Sequence, residues 1–393
     1  MSQIKDLKAY PILDSRGEWT LEVRVKLKNN HTVAASVPKG ISSGRFEAVS
    51  LPVVRAVKNV NSVLAKAVKK LDPLNQERVD EKMMQLDGTS NKSKLGANAI
   101  LGVSLAIARS AAHLRKQPLW KYLRSLNKRL KTARSFPLLF MVMIEGGAHG
   151  RNNLEFQEYL TIPKTTNLRN AIEIGTKMYQ QLQSYLETNL GGQACGIGDE
   201  GAFSPNMPSP EAPFRILTEL AAKLGLEDKV SLGLDAAASE VKKSAKELTA
   251  FYGTIVKKYS MLYLEDVFSQ TDYDNFCLLL ESFGEKVWIT GDDLTVTNLE
   301  LMKKAHDKSC VNAVIIKPSQ IGTLSETLHA VERARVYGWK VLVSHRGGET
   351  NDDFVADLAY AVGADGFKLG APARGERIAK YNRLMEIERE AGK

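Results

Sequence analysis

Cysteine is scarce in this 393-residue chain, and its spacing offers no pairing. Cys195, Cys277 and Cys310 lie far apart, form no CxxC motif and are odd in number, which argues against a disulfide framework and a structural zinc site. Also missing is an uninterrupted apolar run approaching the roughly 18 residues needed to cross a bilayer. The opening MSQIKDLKAY carries an acid and lacks the apolar stretch of a secretion signal. These gaps lead us to expect a cytoplasmic protein in a reducing compartment, with no membrane insertion. Charge is not gathered either. The net +9 comes from Lys and Arg residues scattered along the chain without a basic tail or stripe, so a specific nucleic-acid partner is not expected. The same field would attract an anionic small molecule, so charge alone selects no function.

What is present is ordinary globular composition. Hydrophobic residues at 44% and charged residues at 25% exclude a disordered chain, and the length allows two domains or a barrel with an attachment. Residues 20–37 alternate apolar and polar positions around Asn29 and Asn30, which predicts a hairpin. Residues 51–72 and 95–126 carry helical periodicity. An α+β segment over residues 1–130 is expected, ending in the basic stretch Asn127–Arg134. From 136 to 393 short apolar runs alternate with amphipathic stretches, the pattern of βα units and a parallel sheet. Eight strands are expected: Leu138–Ile144, Glu155–Ile162, Val230–Asp235, Met261–Glu265, Val287–Thr290, Ala313–Lys317, Lys340–Ser344 and Gly366–Leu369. Eight such units fit a closed (β/α)8 barrel.

Ionisable residues recur where these strands end: Asp235, Glu265, Asp292, Lys317 and His345. Strand C-termini converge on the face where barrel active sites sit. Asp235, Glu265 and Asp292 would place three anions in one small volume, and an oxygen-only set without nearby Cys favours a hard divalent ion such as Mg²⁺. Simple ion pairing to Lys317 and Lys368 is the competing explanation. Burial and neighbouring cations would lower the pKa of such lysines and make one available as a general base. Gly196–Gly201 matches GxGxxG, yet prolines at 205, 208, 210 and 213 follow instead of a helix, so a dinucleotide site is rejected in favour of an irregular loop carrying Asp199 and Glu200. The Gly- and Ser-rich stretch Ser36–Gly44 suits a loop closing over an anion.

Read together, these segments resemble the enolase family from Ile12–Gly17 to Ala379–Asn382. The most specific stretches are Leu95–Ser104, Gly198–Gly201, Gly291–Asn298 and Ser344–Thr350. The resemblance implies a (β/α)8-type barrel of the enolase variety, whose first units depart from simple βα repetition, with an N-terminal α+β capping domain. It implies Mg²⁺-dependent reversible dehydration of 2-phospho-D-glycerate to phosphoenolpyruvate, with two Mg²⁺ per active site, in glycolysis or gluconeogenesis, and a homodimer. Asp235, Glu265 and Asp292 match the ligands of the first ion and Ser42 a ligand of the second. Lys317 matches the base and Glu200 the acid, with Glu158 supporting it. His149, Gln157, His345, Arg346 and Lys368 match residues around the substrate.

The chain also departs from the family pattern. Gly347 stands where a phosphate-contacting serine is usual, and Lys39 replaces a loop serine, where it is expected to bring positive charge toward the phosphate. Glu18 and Trp19, Glu145 and Val267 are further departures. Two other functions stay open at this level: proton abstraction from a sugar acid or amino acid, and a non-catalytic binding role for an enolase-like chain.

Overall fold

The computed structural model describes residues 3–40, 46–126 and 135–392. Ser42, most of the Gly- and Ser-rich loop and the basic stretch 127–134 lie outside the described residues. The N-terminal part is an antiparallel sheet of β1 (Ile4–Leu13), β2 (Trp19–Leu27) and β3 (Thr32–Ser36). The expected hairpin is β2–β3, turning through Asn30 at φ 66°, a left-handed conformation that Asn tolerates. The preceding strand β1 escapes the sequence pattern because a register shift between Ile4 and Asp6 breaks its alternation.

Leu21, Val23, Val25 and Leu27 form one fully buried face of β2, and the helix Ala97–Leu114 covers it. This helix is long and apolar enough to cross a membrane by length and composition, although Asn98, Arg109 and His113 interrupt its apolar run. It is instead the core helix of the N-terminal part, with fourteen of its residues buried. The helix reaches the sheet closely because Gly102 has no side chain: a Cβ there would stand 2.7 Å from Val23 Cγ2. The expected helix over 51–72 is interrupted by a π turn at Val60–Leu64, and that over 95–126 is split before Leu119, next to Pro118.

The second part is a closed eight-stranded barrel in sequence order: β4 (Leu138–Glu145), β5 (Glu158–Pro163), β6 (Val230–Asp235), β7 (Met261–Glu265), β8 (Trp288–Gly291), β9 (Ala313–Ile316), β10 (Lys340–Ser344) and β11 (Gly366–Lys368). Phe140, Val142, Leu160, Ile162, Tyr263, Ile315 and Leu342 fill its interior. The alternate residues Leu139, Met141 and Met143 belong to the layer beneath the outer helices, so both faces are dry and the strands read as continuous apolar runs.

The uniformly parallel sheet needs correction. β5 is antiparallel to both β4 and β6. A parallel neighbour requires a crossover, normally helical, but residues 146–157 return directly from β4 to β5 without one. Two helices, Leu168–Leu190 and Ala212–Lys223, then separate β5 from β6. Consequently β5 presents its first residue, not its last, at the mouth: Glu158 pairs in register with Glu145 and with Asp235, the last residues of β4 and β6.

Arg109 joins the two parts, donating to Ala34 O at 2.6 Å, Asp352 Oδ2 at 2.8 Å and Asp353 Oδ1 at 2.7 Å. The dense helix–sheet contact generates a stability test. Gly102→Val is expected to destabilise the chain by about 1–3 kcal/mol through overpacking. An unchanged urea midpoint would show that the close approach is unimportant.

Candidate active site

The mouth of the barrel gathers Asp235, Glu265 and Asp292 from the ends of β6, β7 and β8, and all three are buried. Lys368, ending β11, sits among carboxylates from three strands: Nζ is 2.6 Å from Glu265 Oε2, 2.8 Å from Asp235 Oδ2 and 3.0 Å from Glu158 Oε2. Lys317, capping the short helix after β9, pairs with Asp292, whose other oxygen accepts from Gln320 Nε2 at 2.9 Å. Tyr263 donates to Glu265 Oε2 at 2.6 Å.

Ion pairing to Lys317 and Lys368 is thus real but insufficient. Glu158, Asp235, Glu265, Asp266, Asp292 and Asp293 outnumber the two ammonium groups. Burial, then the charge of Asp235, pushes Glu265 well above the usual carboxylate range, and burial raises Asp235 despite Lys368. Asp293 is pushed up to about 7 by burial and by Asp292. Glu265 Oε1 is buried with no hydrogen-bond partner among the described residues. Surplus anions and an orphaned oxygen fit a hard divalent cation.

Oxygens of Glu265, Asp266 and Asp292 lie within 4.8 Å of one another. Asp266, at φ 43°, already uses its two oxygens to accept the backbone N–H groups of Asp292 and Asp293, at 3.0 and 2.8 Å. It therefore positions Asp292, which leaves Asp235 as the better third ligand beside Glu265, its register partner.

The lysines behave differently from the sequence expectation. Burial does oppose their charge, but Asp292 holds Lys317 above its ordinary value, and Asp235, Glu158 and Glu265 hold Lys368 well above it. Neighbouring carboxylates outweigh burial and the neighbouring cations here.

A second cluster surrounds Glu200, on the irregular loop between the helices Leu168–Leu190 and Ala212–Lys223. No helix begins within the GxGxxG segment, which fits its rejection as a dinucleotide site. His345 Nε2 lies 2.9 Å from Glu200 Oε2, while His149 Nδ1 is 3.4 Å from Glu158 and 3.7 Å from Glu200. Arg377 Nη1 donates to His345 Nδ1 at 2.7 Å, which leaves the ring proton on Nε2, facing Glu200. Burial pushes His345 down to about 4, and the His345 and His149 rings beside Glu200 hold that carboxyl well below its ordinary value despite burial. Burial also opposes charge on His149, but the nearby Glu158 and Glu200 carboxylates prevail and hold it at about 9.

Gln157 completes this wall, its backbone N–H donating to Asp235 O at 3.1 Å. Arg346 Nη1 is 3.1 Å from Glu47 and 3.0 Å from Ser319 Oγ. Gly347 lines the same cavity as Lys317, Glu200 and Lys368. Lys39 is turned away from its expected role: its ammonium group pairs with Glu18, so two departures from the family pattern neutralise each other. Its backbone is tied to Gly348 by reciprocal hydrogen bonds of 2.7 and 2.9 Å.

Of the expected site residues, all but Ser42 lie in these two adjoining clusters; Ser42 is outside the described residues. The sequence missed Arg377, Gln320, Tyr263 and Asp266. Arg377 carries no strand-end signal, since it enters from the helix Gly375–Glu390, and it is fully buried.

The His149 geometry sets a pH test. Its pKa rises from 6.5 to about 9 on folding, so its stabilising contribution is complete below 6.5 and is lost as pH climbs toward 9. Urea unfolding in EDTA should show the unaltered chain losing about 2–3 kcal/mol over that window relative to His149→Gln. A pH-independent difference would contradict a charged His149.

Comparison with known proteins supplies the family. Residues 4–123 match the enolase N-terminal domain, and residues 133–246 and 240–393 match the enolase C-terminal TIM barrel domain. The chain is 41% identical to an enolase of Methanopyrus kandleri and 40% identical to an enolase of Methanocaldococcus jannaschii, in each case over 99% of this chain and 96% of the relative. It is 39% identical to enolase B of Dictyostelium discoideum over 99% of this chain and 95% of the relative. With both domains matched over nearly the whole length, the chain belongs to the enolase family.

Proposed function

We propose that this chain interconverts 2-phospho-D-glycerate and phosphoenolpyruvate, with Lys317 as the base and Glu200 as the acid. As a family member it is a hydro-lyase, a phosphopyruvate hydratase. The observation that carries the assignment of roles is a single cavity lined by Lys317, Glu200, Lys368, Asp235, Asp292, Arg346 and Gly347.

The hydrogen next to a carboxylate is a very weak acid, because its removal places a second negative charge on that group. Asp235, Glu265 and Asp292 would hold one Mg²⁺, and Ser42 matches a ligand of a second; bound there, such ions would supply positive charge for the developing dianion, and Asp292, once shared with a metal, would hold the Lys317 proton less tightly. Lys317 takes the carbon-bound proton. Lys368 adds fixed positive charge beside the substrate carboxylate. Glu200 protonates the departing hydroxyl, with His345 and His149 orienting its two oxygens. Arg346 and the Gly347 backbone face the phosphate. The pairing of a lysine base with Mg²⁺ is general to this superfamily.

A cytoplasmic setting and a homodimer belong to the same reading. A broad groove lined by Ile12, Leu13, Arg109, Asp352 and Arg383, with half-exposed Tyr10 and Leu13 on β1, supports a partner surface along the N-terminal sheet. The convergence of acid, base and carboxylates in one cavity disfavours a purely structural role.

The decisive measurement follows phosphoenolpyruvate absorbance after addition of 2-phospho-D-glycerate and Mg²⁺. Activity is expected, abolished by EDTA and lowered by about 10²–10⁴-fold in Lys317→Ala. An inactive unaltered protein would sink the assignment. Gly347→Ser is expected to lower KM about tenfold, the equivalent of one charge-assisted hydrogen bond. An unchanged KM would show that the phosphate is held fully by other groups.

A further inference from the structure

Glu145 closes β4 at a position where the chain departs from the family pattern, and it is fully buried. Its carboxyl oxygens accept the backbone N–H of Glu200, 3.1 Å from each, and the N–H of Ala202 at 2.8 Å. Its own N–H donates to Phe203 O at 2.8 Å, and Phe203 N–H donates back to Met143 O at 3.1 Å. Gly198 makes room for the arrangement, since a Cβ there would collide with the Glu145 carboxyl group. The loop bearing Glu200 belongs to no helix or barrel strand, and these bonds help seat it on the barrel, together with that of Ala371 N–H to Glu200 O at 3.1 Å.

The groups facing Glu145 and Glu200 are known from every side. His149 follows β4, Glu158 begins β5, His345 follows β10, Arg377 comes from the last helix and Tyr179 from the helix Leu168–Leu190. Arg377 donates to Asp199 O at 3.1 Å, bracing the same loop from the far side.

We propose that Glu145 is a positioning residue for Glu200: its carboxyl oxygens hold the backbone of the acid-bearing loop so that the Glu200 side chain stands between His345 and His149. The proposal rests on the assignment of Glu200 as the acid. Burial, reinforced by the Glu200 charge, pushes the Glu145 carboxyl up to about 8, so near neutral pH it serves the loop as an uncharged acceptor. In the step this supports, the Glu200 O–H bond breaks as a new O–H bond forms to the leaving hydroxyl. The C–O bond electrons go to oxygen, giving water and a Glu200 carboxylate.

Glu145→Gln keeps an amide oxygen that accepts the loop N–H groups, whereas Glu145→Ala removes the acceptor. The experiment measures kcat for dehydration, thermal unfolding, and exchange of the substrate's C2 hydrogen in D2O, which reports Lys317 alone. Glu145→Ala is expected to lower the dehydration kcat about tenfold while C2 exchange stays within about twofold, and Glu145→Gln is expected to keep kcat within about threefold. An unchanged kcat in Glu145→Ala, a parallel loss of C2 exchange, or a loss in Glu145→Gln as large as in Glu145→Ala would each overturn the proposal. If the unaltered protein shows neither dehydration nor C2 exchange, the enolase assignment itself fails, and this proposal with it.

Discussion

A buried ammonium group held by three carboxylates is the contact on which the rest of the site depends. Lys368 reaches Glu158, Asp235 and Glu265, which belong to three consecutive strands, β5 to β7. Bringing such charges out of water costs several kcal/mol per ion, and only close mutual pairing offsets it. The carboxylates still exceed the cations, so the mouth keeps affinity for further positive charge. Every other functional group is arranged around that excess: Lys317 against Asp292, His149 against Glu158 and Glu200, and Asp266 holding the backbone beneath Asp292.

The reversal of β5 supplies one of those three carboxylates. In a parallel barrel the first residue of a strand lies at the closed end, far from chemistry. Antiparallel β5 instead sets Glu158 level with Glu145 and Asp235. The same reversal leaves two helices to be placed before β6, and the loop between them carries Glu200. The proposed acid thus comes from an inter-helix connection, whereas the proposed base lies at a strand end. Such a loop has no ladder of its own, which is why the side chain of Glu145 and the guanidinium of Arg377 have to hold it.

How much of this was legible in the sequence follows from locality. Asp235, Glu265, Asp292 and Lys317 could be found because each ends an apolar run, and a run plus a charged terminus is a local pattern. The eight strands were visible for the same reason. Strand direction was not, because alternation carries no sign; only the missing crossover between β4 and β5 discloses it. Arg377 was invisible because its helix presents polar residues at many positions and nothing local distinguishes the buried one. The Glu18–Lys39 pair was equally hidden, as two departures 21 positions apart gain meaning only when the fold puts them in contact. Glu200 and the residues around it were recognised through the family resemblance rather than through a local pattern.

Lys368 lies on β11, whose ladder with β4 joins Lys368 to Phe140 and shuts the ring. During synthesis the acids of β5, β6 and β7 emerge long before the residue that neutralises them. A chain that ends at β10 therefore has these three acids without their ammonium partner. Ring closure brings Lys368 among them and offsets part of their repulsion. The Lys368 cluster thus also acts as a fastener: the last strand of the barrel delivers the charge that makes the earlier ones compatible, and the mouth is complete only when the ring is.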